Sequence, residues 1–311
     1  MEYGPNEHTQ YADFDAFSFE DGTVLPITVA YRTWGELNEK GDNAILVCHA
    51  LTGDANADQL WAGIVGPGLG LDTSQNFVVC SNVIGGCYGS SGPTTLNPET
   101  GAAYGPDFPE VTIRDIVNAQ RRLMEHLSVP TWRTITGGSL GGMQTLEWAI
   151  SYPELVRSIV PIAVGPTHSD WAIGINHVQR EVIRLDPLFA EGRYPPEEPP
   201  ARGLSVARQL GMISYRSHGS YAGKFKRSMR DGRFEVQHYL EYQGAAMVKR
   251  FDANTFITLS TAMNGHDVGR GRASIAAALG SITARALVIG ITSDVLFPVV
   301  EQRELAAGIP D

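Results

Sequence analysis

The run Arg133–Ser151, RTITGGSLGGMQTLEWAIS, limits what this chain can fold into more than any other stretch. Its first four residues, RTIT, have the β-branched character of a short strand. Leu140–Ser151 reads as a helix that Pro153 stops. Between them lies Gly137-Gly138-Ser139-Leu140-Gly141-Gly142. A strand that turns into a helix within a few residues crowds its own backbone, and glycine relieves that crowding. The turn exposes the hydroxyl between them and aims the helix N-terminus at it. G-x-S-x-G in a strand–turn–helix setting therefore predicts Ser139 as a nucleophile.

The surrounding pattern predicts an α/β chain. Ala44–Cys48 (AILVC), Phe77–Cys80 (FVVC), Val156–Val164 (VRSIVPIAV) and Ala286–Ile291 (ALVIGI) read as buried parallel strands. Thr112 and Asp115 form a capping-box signal ahead of Ile113, Ile116, Val117, Leu123, Met124 and Leu127 at helical spacing. Phe17–Glu20, Asp21-Gly22 and Leu25–Arg32 read as an opening hairpin. Alternating strands and helices imply a mostly parallel sheet with helices on both faces. Residues 166–281 break the alternation. They are mainly helical in pattern and contain the Pro/Glu-rich link YPPEEPP at 194–200. The expected layout is a discontinuous core, 1–165 and 282–311, with 166–281 inserted as a helical lid over the carboxyl ends of the strands.

Composition removes several function classes. The chain has 311 residues and a net charge of −10, so it lacks the basic surface general nucleic-acid binding requires. Cys48, Cys80 and Cys87 cannot all pair, and no Cys/His cluster has zinc spacing, so no metal and a reduced, cytoplasmic setting are expected. The N-terminus MEYGPNEHTQYADF has neither a basic nor an apolar signal region, and no apolar run reaches membrane length.

Two further segments carry chemistry. Cys48-His49-Ala50-Leu51-Thr52-Gly53-Asp54 follows the first buried strand, where this type of sheet places half of an oxyanion hole. The backbone N–H of Leu140 would supply the other half. That loop's task is backbone donation, so His49 reads as structural. Asp294, at the end of ALVIGITSD, stands where the acid of a Ser–Asp–His series belongs. No histidine follows it. His168, His177, His218, His238 and His266 all precede the last strand.

HALTGD (49–54), GGSLGGMQ (137–144), LEW (146–148), QHYLEYQG (237–244), HDVGRGR (266–272) and ITSDVLFP (291–298) occur in this order. Together they resemble the homoserine O-acetyltransferase family of the α/β-hydrolase fold, and the similarity covers nearly the whole chain. The resemblance implies acetyl transfer from acetyl-CoA to the γ-hydroxyl of L-homoserine, a step of methionine biosynthesis, through an acyl-Ser139 intermediate and with no cofactor. It implies that Asp294 orients a histidine, and that Leu51 and Leu140 supply the oxyanion N–H groups. Arg208, Tyr215 and Thr52 would bind substrate, and the lid would form a homodimer. Family members continue into a further strand and a G-H-D loop that carries the histidine. Both are absent here, and the chain is expected to be a fragment. A succinyl donor, a serine acceptor or plain ester hydrolysis on the same scaffold stays open. A truncated, non-enzymatic homologue also stays open. Lys224, Lys226, Arg227 and Arg230 form a basic cluster that suits either solvent or CoA phosphates.

Overall fold

The computed structural model describes residues 3–310. Among them, the main sheet has seven strands. Their order is β1 (Gln10–Ser18), β2 (Val24–Trp34), β6 (Phe77–Ser81), β3 (Ala44–Cys48), β7 (Thr134–Gly138), β8 (Ser158–Ile162) and β11 (Arg285–Ala286). β2 runs antiparallel to both β1 and β6, and from β6 onward all neighbours are parallel. The chain leaves β3 for β6 on one side and then takes up β7 on the other. The connections therefore diverge at the carboxyl ends of β3 and β7, where open parallel sheets hold ligands.

β3 is buried along its whole length, and its alternate residues serve two clusters. Ala44, Leu46 and Cys48 enter the main core, while Ile45 and Val47 enter a smaller one. The main core holds the apolar faces of α2 (Ile113–His126) and α3 (Leu140–Ser151). Trp132 and Trp148 meet edge to face within it, with ring centroids 6.3 Å apart. The smaller cluster takes in Ala57 of α1 (Ala57–Leu60), Trp61, and Val65 and Leu71 of the short ladder β4 (Val65–Gly66) and β5 (Leu71–Asp72). The capping box forms as expected: Asp115 N–H donates to Thr112 Oγ1 at 3.1 Å, and Thr112 N–H donates back to the carboxylate at 2.9 Å.

Between β8 and β11 the chain builds α4 (Asp170–Arg184), α5 (Ala201–Ser214), α6 (His218–Phe225), α7 (Glu235–Val248), α8 (Ala253–Asn264) and α9 (Ile275–Gly280). α5 packs on both α4 and α7, and α4 also meets α8. A short hairpin, β9 (Met229–Arg230) and β10 (Arg233–Phe234), interrupts the helices. Its turn has φ of 52° at Asp231 and 75° at Gly232, as a two-residue hairpin turn demands. An ion network ties this region to the core. Glu147 on α3 is buried and pairs with both Arg114 and Arg272, and Glu20 pairs with Arg114 and Arg270. The LEW and HDVGRGR motifs thus meet each other.

The strand expected at Ala286–Ile291 differs from its reading. Only Arg285 and Ala286 form a regular ladder, with Ser158 and Ile159. Pairing then continues loosely: Leu287 N–H donates to Ile159 O at 3.0 Å and Ile289 N–H to Pro161 O at 3.0 Å. Leu287 is 60% exposed and Ile291 46%. An apolar run is buried only when other elements cover it, and a local pattern cannot supply them. After this segment α10 (Val299–Gly308) packs on α9.

Candidate active site

Ser139 joins β7 to α3 with φ 56° and ψ −120°, a conformation costly for any residue with a Cβ. Both neighbours hold it there. Its N–H donates to Ile162 O of β8 at 3.0 Å, and its carbonyl accepts the Met143 N–H at 3.0 Å. The glycines around it answer to close backbone approach. A Cβ on Gly137 would stand 2.6 Å from Cys48 O, one on Gly141 2.1 Å from the same atom, and one on Gly142 2.8 Å from the Val164 side chain.

The loop after β3 opens with a β-turn, Ala50–Gly53, closed by Gly53 N–H donating to Ala50 O at 2.8 Å. His49 props it. Its Nε2 accepts the Val83 N–H at 3.1 Å, which leaves the proton on Nδ1 for Ala50 O at 2.9 Å. Burial pushes the His49 pKa down. With both nitrogens occupied in a neutral ring, His49 shapes the turn and has no free nitrogen to act as a base. Leu51 N–H makes no hydrogen bond among the described residues. Leu140 N–H stands in the first turn of α3, where no intrahelical acceptor exists.

Behind the elbow runs a buried amide chain that the motif reading missed. Gln144 Nε2 donates to Leu140 O at 3.0 Å and to His49 O at 3.4 Å, so one side chain touches both the elbow and the loop that follows β3. Gln144 Oε1 accepts from Gln120 Nε2 at 2.8 Å, and Gln120 Oε1 accepts from Trp148 Nε1 at 2.7 Å. The available signal was two glutamines on helix faces that are otherwise apolar.

A cavity of about 200 Å³ opens at this point. Ala50, Leu51, Thr52, Ser139 and Ala163 form its floor. Ile175, Asn176 and Gln179 of α4, Tyr215 after α5 and Met263 of α8 come from the lid, and Asp294, Leu296 and Phe297 close one side. Of the residues singled out from sequence, Ser139, Asp294, Leu51, Thr52 and Tyr215 line it, and Leu140 lies fully buried beside Ser139. Asp294 Oδ1 accepts the N–H groups of Leu296 at 2.8 Å and Phe297 at 2.9 Å, which fixes the carboxylate. Arg208 does not line the cavity. Its guanidinium carbon lies 5.7 Å from the centroid of the Tyr215 ring, which it backs. Tyr215 is 42% exposed, yet its hydroxyl lies against Gly211, and burial raises its pKa. Asn176 and Gln179, one turn apart on α4, are the polar lid residues the sequence reading did not select.

No histidine lines the cavity among the described residues. His266 is buried, with its Nε2 3.0 Å from Gly165 O. His168 lies closer, its ring centroid 5.7 Å from that of Phe297. Asn176 Nδ2 lies 3.1 Å from His168 Nε2, while His168 Nδ1 is buried with no partner. Burial, with His266 and Arg180 nearby, pushes the His168 pKa down to about 4. The basic cluster does not reach the cavity either: Lys224 Nζ sits 3.9 Å above the Tyr239 ring, and Arg230 pairs with Glu235. Among the described residues no group of three or more His, Cys, Asp or Glu could hold a metal, and no helix is long and apolar enough to cross a membrane.

Comparison with known proteins gives this geometry a family. A family model described as the alpha/beta hydrolase fold matches residues 43–311. The homoserine O-acetyltransferase of Trichormus variabilis is 48% identical over 311 residues, covering 98% of this chain and 86% of its own. The crystal structure of homoserine O-acetyltransferase from Bacillus anthracis matches with a TM-score of 0.92 at 26% identity, covering 99% of this chain and 88% of that one. An acetylester hydrolase from Corynebacterium glutamicum matches with a TM-score of 0.85 at 28% identity, over 97% of this chain and 85% of that one. The likeness spans the sheet, the elbow and the lid together, and on that ground the chain belongs to the homoserine O-acetyltransferase family of the α/β-hydrolase fold.

Proposed function

We propose that this protein transfers an acetyl group from acetyl-CoA to the γ-hydroxyl of L-homoserine through an acyl-Ser139 intermediate. The observation that carries the reading is the strained Ser139 beside two N–H groups, Leu51 and Leu140, that have no backbone partner to satisfy them. Ser139 Oγ attacks the thioester carbonyl and gives its proton to a base. The carbonyl oxygen becomes an oxyanion between the two N–H groups. The C–S bond breaks, and the thiolate leaves with that proton. The homoserine hydroxyl then attacks the Ser139 ester, the ester C–O bond to serine breaks, and Ser139 recovers its proton. Asp294 is the carboxylate that would orient an imidazole base and steady its charge. The cavity, below the roughly 300–1,000 Å³ of drug-sized ligand pockets, suits an acetyl group and a small amino acid, with the bulk of CoA outside. Tyr215, backed by Arg208, and Thr52 would contact the acceptor. Exposed Val206, Ile213 and Tyr242 on α5 and α7 support a homodimer through these helices.

Ester hydrolysis is the second reading, favoured by the likeness to the acetylester hydrolase. The two differ in what attacks the acyl-enzyme. The test mixes protein with acetyl-CoA, first alone and then with L-homoserine. One acetyl of added mass on the Ser139 peptide, discharged to O-acetylhomoserine, supports transfer. Discharge to acetate at the same rate with and without homoserine would replace it with hydrolysis. Because no described histidine reaches the cavity, the experiment compares two proteins. One is the 311-residue chain; the other is this chain joined to the part of the Trichormus relative that the match leaves uncovered. Only trace turnover is expected from the first.

A further inference from the structure

We infer that Arg250 is a positioning residue that holds the oxyanion turn from the lid side. It follows α7, far from the turn in sequence. Its Nη1 donates to Thr52 O at 2.8 Å and to Tyr88 Oη at 2.6 Å, and its guanidinium carbon lies 3.7 Å from the centroid of the Tyr3 ring. Thr52 and Leu51 are the two central residues of the Ala50–Gly53 turn. His49 and Gly53 hold that turn at the Ala50 carbonyl, its entrance. Nothing else among the described side chains holds the Thr52 carbonyl. The Thr52 carbonyl shares its peptide plane with the Gly53 N–H, the donor that closes the turn on Ala50 O, and Ala50 O shares its plane with the Leu51 N–H, so a Thr52–Gly53 plane left free to tilt loosens the closure that aims Leu51. Oxyanion donors work only when they are fixed beforehand where charge develops, so a small loss of aim costs much of the rate. A planar, permanently charged donor that reaches the carbonyl through a directed N–H is suited to that task.

This inference rests on the acyl-transfer reading for its effect on rate, but its structural half does not. Wild type, Arg250→Met, Arg250→Lys and Tyr3→Leu would be compared, the last removing the stacking alone. Hydrogen exchange of the peptide spanning residues 49–56 reports the turn whatever the reaction. The rate of Ser139 acetylation at saturating acetyl-CoA, in the chain that turns over, reports its consequence. Arg250→Met should speed exchange of that peptide at least tenfold, with the thermal midpoint nearly kept. It should slow acetylation about 10- to 100-fold while KM changes less than about threefold. Arg250→Lys should recover part of both, and Tyr3→Leu should change neither. Unchanged exchange and rate in Arg250→Met overturn the inference. So does faster exchange throughout the chain that Tyr3→Leu reproduces, since Arg250 is then a general brace. If the turn loosens as expected but wild type never takes acetyl from acetyl-CoA, the acyl-transfer reading fails and the positioning role stands.

Discussion

Gly141 and Cys48 approach so closely that a single methyl group on Gly141 would stand 2.1 Å from the Cys48 carbonyl oxygen. This contact presses the first turn of α3 against the end of β3 and sets the spacing between Leu140 and the turn that holds Leu51. It also separates two glycines that look alike in sequence. At Gly142 the nearest atoms are those of the Val164 side chain, at 2.8 Å, and a side chain can move where a backbone carbonyl cannot. Gly141→Ala is therefore expected to lose about 3 kcal/mol or more of stability, and Gly142→Ala clearly less. Urea unfolding of the two variants checks the order, and equal losses would remove the argument.

Ser139 stores strain that the proposed acyl transfer would use and that stability does not require. Its φ of 56° suits glycine better than any residue with a Cβ. Ser139→Ala keeps the strain and loses the hydroxyl. Ser139→Gly loses both, so its unfolding free energy should exceed that of Ser139→Ala by about 1 kcal/mol. Neither variant should gain the acetyl mass label, and turnover should fall by several orders of magnitude. A label that persists in Ser139→Ala places the acyl group elsewhere.

Arg208 reaches the cavity only through Tyr215. If the pair orients the acceptor's carboxylate, Arg208→Lys keeps the charge but loses the planar fork. Acetylation of Ser139 should then proceed at the wild-type rate, while KM for homoserine rises about tenfold. Pre-steady-state kinetics separates the two steps. Loss of both together would make Arg208 a structural residue of α5.

His168 should make the fold acid-sensitive. Burial holds its pKa near 4, below the ordinary value of 6.5. The unfolded chain therefore binds this proton more readily than the folded one. The stabilisation is complete above about pH 6.5 and is lost as pH falls toward 4. His49 and His266 shift in the same direction, also through burial. Between pH 7.5 and 4.5 wild type should lose on the order of 2 kcal/mol more stability than His168→Gln does. Matching pH profiles of the thermal midpoint would contradict this.

Local pattern was enough for the parts of the fold that depend on neighbouring torsions. Thr112 and Asp115 announced the start of α2, Pro153 the end of α3, and the glycines around Ser139 the elbow, because caps, stops and tight turns are decided within a few residues. The alternation of strands and helices placed Ser139, Leu51 and Asp294 at the carboxyl ends of neighbouring or nearby strands, and all three line one cavity. What pattern could not decide is which polar group meets which. His49 is a brace because Val83 and Ala50 occupy its two nitrogens. In the segment Ala286–Ile291 only Val288 packs on the main core, while Leu287, Ile289 and Ile291 stay exposed although their types suit a core, because none of the described elements covers that side. Asn176 and Gln179 line the cavity at Ser139 only because α4 folds over it, and Arg250 meets Thr52 across 198 residues of sequence. A hydrogen bond needs two partners within about 3 Å, and when they lie in different elements only the packing of those elements brings them together.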